Sequence, residues 1–354
     1  MARSWSRWVP AAAVPVVVVS AALISQAGAA TDLPDKSAAE LLAMIGEHSV
    51  EAFSGSFEQT ADLGLPQLPE GLAGTGGDDA AQVGDLLALL SGSRSGRLYV
   101  GGPDQVRLQV MGQFDEQDVI RNGADVWVYD SAENAATHLT VPEHDGAQPA
   151  GPAGTPPTPE EVADHLLAAV EPSTEVTVGD DATVAGRPAY ELVLTPRPDG
   201  TLVDSVAIAV DAETGMPLGV TVRARGQTDP AFEVAYTALD LGAPDPGRFE
   251  FTAPSGATVT EKDLTAHDGA APPAAGARPT GPAPTVLGSG WDAVVVLPAG
   301  APSPTDEPLL DQLTTAVDGG RLLSTALVNV LVTDDGRVLA GSVPPERLQA
   351  AATE

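Results

Sequence analysis

The stretch SGRLYVGGPDQVRLQVMGQFDEQDVIRNGADVWVYD, Ser95 to Asp130, decides the fold. Four segments in it alternate in polarity: SGRLYV (Ser95 to Val100), QVRLQVM (Gln105 to Met111), FDEQDVIR (Phe114 to Arg121) and DVWVYD (Asp125 to Asp130). A period of two is that of a strand, whose successive side chains leave on opposite faces. Gly101-Gly102-Pro103-Asp104 and Asn122-Gly123 punctuate the series, and Asn-Gly supplies the positive φ that a two-residue hairpin turn demands. Turns this short join antiparallel neighbours. An antiparallel sheet therefore lies at the centre of the fold.

Working upstream, Ser37 and Glu40 form a capping box, and Leu41, Leu42, Ile45 and His48 recur at helical spacing, which predicts a helix from Ser37 to about Ser49. It feeds directly into FSGSFEQT, Phe53 to Thr60, where the period changes to two. Residues 61 to 93 read as an insertion between strands, Pro- and Gly-rich over Leu65 to Asp79 and with a short helix at Val83 to Gly92. Downstream, Gly146 to Pro157 is a second Pro/Gly-rich break. Thr158-Pro159-Glu160-Glu161 then combines a capping box with proline at the first helical position, predicting a helix to about Val170.

Alternation resumes after that helix at Tyr190, Leu192, Leu194; Val206, Ile208, Val210; Leu218, Val220, Val222; and Phe232, Val234, Tyr236. Each run is apolar on one side, as a one-sided antiparallel sheet requires. Helices do not alternate with these strands, which disfavours a parallel α/β architecture. The predicted class is α+β: a curved antiparallel sheet, in the form of an incomplete barrel, spanning residues 31–262. An Ala/Pro/Gly-rich linker occupies 263–285. Residues 286–354 are expected to form a small α+β module of one helix, at Pro308 to Val317, and three strands in GWDAVVVLP (Gly290 to Pro298), STALVNVLVTD (Ser324 to Asp334) and RVLAGSV (Arg337 to Val343).

The first thirty residues read as an export signal: Arg3 and Arg7, an apolar run from Val9 to Ile24, and Ala27-Gly28-Ala29 before Ala30. That run, 16 residues broken by Pro10, Pro15 and Ser20, is shorter than the roughly 18 of a spanning helix, which favours cleavage over an uncleaved anchor. An extracytoplasmic location, secreted or envelope-associated, is the expectation. With no cysteine in the chain, there are no disulfides, thiolate metal sites or lipidated cysteine, and an apolar core must supply the stability. Seventeen Lys and Arg stand against 49 Asp and Glu, a formal charge of −32. Nucleic-acid binding, which draws on neutralising phosphate, is excluded as a leading reading, and so is docking on anionic headgroups.

Catalytic and metal motifs are missing. His48, His138, His144, His165 and His267 lack the spacing of zinc ligands. Asp78-Asp79, Asp180-Asp181 and Asp334-Asp335 do not continue into a calcium loop and read as turn residues. GSRSG, Gly92 to Gly96, has Arg94 where a nucleophile elbow needs serine. GSGWDA, Gly288 to Ala293, has the letters of a dinucleotide fingerprint but opens a strand, so no helix N-terminus would face a phosphate. A non-enzymatic protein without a cofactor is expected.

The ordered series from Ser37 to Val259 resembles the lipoprotein-carrier (LolA-like) family. The likeness is carried by Phe57 and Gln59 in the first strand, Gly96, Pro103 and Arg107 in the following hairpin, and Asn122, Gly123, Trp127, Tyr129 and Asp130 around the next turn. VDAETGMPLGVTV (Val210 to Val222), FEVAYTALDLG (Phe232 to Gly242) and RFEFTAPSGATV (Arg248 to Val259) extend it. The resemblance implies helices lying across the concave face of an incomplete barrel, with the acyl chain of a lipid or lipoprotein held between them. The fold is shared with RseB-type periplasmic regulators, which carry a smaller C-terminal domain and bind an anti-sigma factor, so a membrane protein is a second candidate partner. The insertion after Thr60 departs from the carrier pattern. Candidate lining residues are Leu41, Ile45, Phe57, Leu98, Leu108, Trp127, Tyr129, Leu192, Ile208, Phe232 and Tyr236. Plain core packing is the competing reading for each.

Overall fold

The computed structural model describes residues 33–64, 92–112, 116–141, 158, 173–263, 285–299 and 313–353. The export signal, residues 83–91 of the short helix expected in the insertion, the helix expected after Thr158 and linker residues 264–284 lie outside these.

Helix α1, Ala38–Glu47, starts where its capping box places it. The Glu40 N–H donates to Ser37 Oγ at 3.3 Å, and the Ser37 N–H donates to Glu40 Oε2 at 2.8 Å. The Ser37 hydroxyl, which also donates to that carboxylate, holds the Glu40 pKa below its usual value. Six strands follow: β1 (Phe53–Ala61), β2 (Gly92–Gly102), β3 (Gln105–Met111), β4 (Glu116–Asn122), β5 (Asp125–Asp130) and β6 (Ala135–Thr140). A second series comprises β7 (Thr174–Val178), β8 (Ala182–Val184), β9 (Arg187–Pro196), β10 (Val203–Asp211), β11 (Pro217–Ala224), β12 (Phe232–Asp240) and β13 (Thr258–Asp263).

These thirteen strands make one curved, open sheet in the order β13-β6-β5-β4-β3-β2-β1-β12-β11-β10-β9-β7, with β8 paired to β9. Strands β1 to β6 form one up-and-down meander and β9 to β12 another, with β7 and β8 both paired to β9, and β1 against β12 joins the two. Neighbours are antiparallel except β13, which runs parallel to β6 from Thr258↔Ala135 to Asp263↔Thr140. The chain crosses the sheet between β12 and β13, so it reaches the β6 edge without reversing direction.

The β10–β11 turn is built around Asp211. Its Oδ1 accepts from the Glu213 and Thr214 N–H groups and the Thr214 hydroxyl, while its Oδ2 accepts from Arg187 Nε at 2.5 Å. The turn ends in Gly215 at φ 78°, pressed against the Met44 carbonyl of α1. A side chain there meets both a disfavoured backbone conformation and the helix backbone. Gly215→Ala is therefore expected to cost about 1–3 kcal/mol, read as a lower midpoint in urea unfolding.

A second sheet has six strands in the order β14-β15-β19-β18-β17-β16: β14 (Thr285–Leu287), β15 (Val294–Leu297), β16 (Thr315–Val317), β17 (Gly320–Ser324), β18 (Asn329–Thr333) and β19 (Val338–Gly341). Helix α2, Pro345–Ala352, covers one face, burying Leu348 and Ala351 against Val294, Leu322, Leu331 and Leu339. Two sequence expectations are corrected here. Thr315–Val317, read as the end of a helix, is the edge strand β16, because Asp318-Gly319 turns it back onto β17 with Val317 opposite Gly320. The module holds six described strands instead of three, and a terminal helix that opens with Pro345 in its first turn.

Candidate functional site

Strand register decides which candidate residues meet. From β1, Phe57 stands opposite Tyr236 of β12 and Gly96 of β2. Pairing then carries one face from Val234 to Val220, Ile208 and Leu192 on one side, and through Leu98 to Leu108 on the other. Opposed residues project from the same face. Phe57, Leu98, Leu108, Leu192, Ile208, Phe232 and Tyr236 therefore share one inner face, and Leu41 and Ile45 of α1 pack onto it.

Two glycines shape this face. The Phe57 ring lies over Gly96, where an added Cβ would stand 2.5 Å from Phe57 Cζ, and Tyr236 lies over Gly55 in the same way at 2.6 Å. Tyr236 meets Phe57 and Phe53 edge-on, at 6.5 and 6.1 Å between centroids. The rings are thus laid down on the strands and leave the space above to α1. Gly96→Val is expected to displace Phe57 and to cost about 1–3 kcal/mol by overpacking, seen as a lower melting temperature.

Helix α1 is held over the face at both ends. Near its start Tyr190 donates its hydroxyl to the Pro34 carbonyl at 3.0 Å, and the Leu33 N–H donates to Asp181 at 2.9 Å; near its end Met44 abuts Gly215. Burial pushes the Tyr190 pKa up, with the carboxylates of Asp181 and Asp35 adding to it.

The structure separates Trp127 and Tyr129 from the other nine candidates. The turn after Asn122 pairs Asn122 with Asp125, which sets Trp127 opposite Ile120 and thereby beside Arg107 on the outer face. There Trp127 stacks on His138 at 4.3 Å, His138 meets Asp125 at 2.8 Å, and Phe251 packs on Trp127 and Tyr129 at 5.2 and 5.7 Å. The segment from Pro246 to Phe251 crosses this face. Phe249 is buried over Gly101, the Arg248 guanidinium sits 5.2 Å above the Tyr99 ring, and the Arg248 carbonyl accepts from Arg107. Arg107 also clamps Asp118 with both arms of its guanidinium. Burial nevertheless holds the Asp118 pKa above the usual aspartate value, against the opposing pull of Arg107.

Among the described residues no group of three or more histidines, aspartates or glutamates is placed to hold a metal ion, and no helix is long and apolar enough to cross a membrane. The arrangement offers a largely apolar face under a helix, with Gln59 of β1 buried beside Phe57 on the same side of the strand. Its chemistry is that of burial.

No protein-family model matches the chain, and no curated protein does either. Solved structures do. The MucA/MucB complex of Pseudomonas aeruginosa is 16% identical, covering 89% of this chain and 96% of that one, with a TM-score of 0.43. A conserved protein from Thermus thermophilus is 10% identical over 64% of this chain and 99% of that one, at 0.34. A LolA-superfamily protein from Nitrosomonas europaea is 11% identical over 61% and 99%, at 0.25.

Proposed function

We propose that this is an exported, extracytoplasmic, non-enzymatic binding protein that shelters the acyl chain of a lipid or lipoprotein between α1 and the inner face of the large sheet. One observation carries the reading: nine apolar candidates, drawn from α1 and six strands, converge on a single face. A chain of about sixteen carbons gains roughly 12 kcal/mol of gross transfer free energy at about 0.8 kcal/mol per methylene, so such a site needs no charged anchor. Leu41, Leu192 and Ile208 are fully buried, so a ligand enters by separating an element that covers the face.

Mass spectrometry of lipids extracted from gently purified protein tests this. A stoichiometric acyl species is the expected result. Repeated recovery of ligand-free protein that also takes up no added fatty acid would sink the reading.

A second reading, a regulatory module that engages a membrane protein partner, is favoured by the second sheet, whose separate core gives the chain a further surface. Capture of one membrane protein by the whole chain, abolished by substitutions confined to residues 285–353, would support it over the carrier reading.

A further inference from the structure

We propose that the six-stranded module is a detachable stop at one end of the apolar trough, and that its release opens that end to the ligand; this rests on the acyl-binding reading above. The argument begins from register. Leu63 follows the end of β1; Phe232 of β12 pairs with Ala61, and Val222 near the end of β11 pairs with Phe232. Val203 at the start of β10 pairs with Ala224, and Thr174 at the start of β7 pairs with Pro196 at the end of β9. Leu63, Ala231, Ala224, Thr201, Leu202 and Thr174 therefore lie along one rim of six consecutive strands.

The module touches that rim. Its Ala326 N–H donates to the Leu63 carbonyl at 2.9 Å, and Ala326 and Leu327 pack on Leu63, Ala224 and Ala231. The Ser342 carbonyl accepts from the Leu202 N–H at 2.8 Å and from the Thr201 hydroxyl at 2.9 Å, and Trp291 Nε1 donates to Thr174 Oγ1 at 2.7 Å. The opposite rim, at the β10–β11 turn, is where α1 ends against Gly215. Barrel strands tilt by about 35–45° to the axis, so this rim of strand ends still forms one end of the trough, and the module stands where a chain lying in it would emerge.

The seam is built for release. It is made of alanines, threonines, a serine carbonyl, Leu63, and the module's Leu327 and Trp291, the last two packed against the core of the large sheet, whereas Val294, Leu331, Leu339, Val343 and Leu348 form a core within the module. Two cores joined by a partly polar contact, to which the module brings only Leu327 and Trp291 as large apolar side chains among the described residues, move relative to one another by default. Residues 264–284 connect β13 to β14 covalently, so an undocked module stays at high local concentration and returns.

The cysteine-free chain allows a direct test. Asp199→Cys and Asp334→Cys, both exposed and one on each side of the seam, carry nitroxide labels for pulsed dipolar spectroscopy on the whole chain. The parent is expected to give one narrow distance. Leu327→Asp, and separately Thr201→Val with Trp291→Phe, should add a longer population, each seam hydrogen bond lost shifting the docked-to-free ratio by about fivefold. Palmitate, as the probe, should then bind faster in step with that population. The uncharged double variant carries the test if Leu327→Asp does not fold. An unchanged narrow distance in folded variants overturns the proposal. Longer distances with an unchanged palmitate rate overturn the gating role, and longer distances with no palmitate binding even in the parent overturn the acyl-binding reading instead.

Discussion

Asp211→Ala lowers the stability of the protein by about 3 kcal/mol, the low end of the cost of stripping one partner from a buried ion pair, because Arg187 keeps some contact with water. Asp211 is almost wholly buried, and its carboxylate joins Arg187 to the β10–β11 turn. Losing it unties that turn, and with it the seat of α1 at Gly215, so chemical denaturation should show both a lower midpoint and earlier exposure of the helix. The pH dependence carries a sign. Burial pushes the Asp211 pKa up, but the hydrogen bonds from Arg187 and Thr214 outweigh it and leave it below 3.8. Its contribution is therefore complete above that value and disappears as pH falls through the folded pKa. Asp118, raised by burial, has the opposite sign and loses stability as pH rises past 3.8. Wild-type protein should weaken in acid, and Asp211→Ala should weaken less over the same window, as melts recorded across pH 2 to 5 would read (about 2 to 5, the span over which such carboxylates titrate).

Phe57→Ala is the second large effect, about 3–5 kcal/mol. The ring is buried, packs edge-on against Tyr236, and rests on Gly96, which has no side chain to move into the vacated space. The void should persist and stay dry. Thermal melting gives the stability loss, and a crystal soaked with xenon or benzene should show the apolar guest over Gly96. Trp127→Ala, at a half-buried site on the outer face, should cost less and loosen the Pro246–Phe251 crossing, without leaving a guest site.

Much of the large sheet was legible because its strands obey local rules. QVRLQVM and DVWVYD coincide with β3 and β5, and the capping box at Ser37 and Glu40 is formed. The inner face could be read from alternation within each strand, yet alternation alone does not say which face of one strand matches which face of the next. That information lay in the turn after Asn122: a two-residue connection fixes Asn122 opposite Asp125, and Trp127 then falls beside Ile120 and Arg107. The charge pair Arg107 and Asp118 was a further sign that this face differs from the one holding Leu108. The β13–β6 pairing had no local signal at all, since every residue of β13 is exposed and its register is set by where the chain crosses. In the second sheet, Val317-Asp318-Gly319-Gly320 was a hairpin signal that the helix read over Pro308 to Val317 passed over.

The β1–β12 seam has a consequence for how the chain comes to its native state. Apart from the insertion between β1 and β2, neighbouring strands within each meander are a short connection apart, but Ser54 pairs with Asp240, with most of the sheet's strands lying between them in sequence. Closing so long a loop costs entropy that grows only as the logarithm of its length, yet the cost falls before any of the pairing is gained. Two half-sheets should therefore form quickly and join slowly, each with a bare hydrogen-bonding edge until they do. During synthesis the first half must wait, edge exposed, for residues near 240 to emerge. A helper that shields the β1 edge would speed productive folding more than one acting anywhere else along the chain.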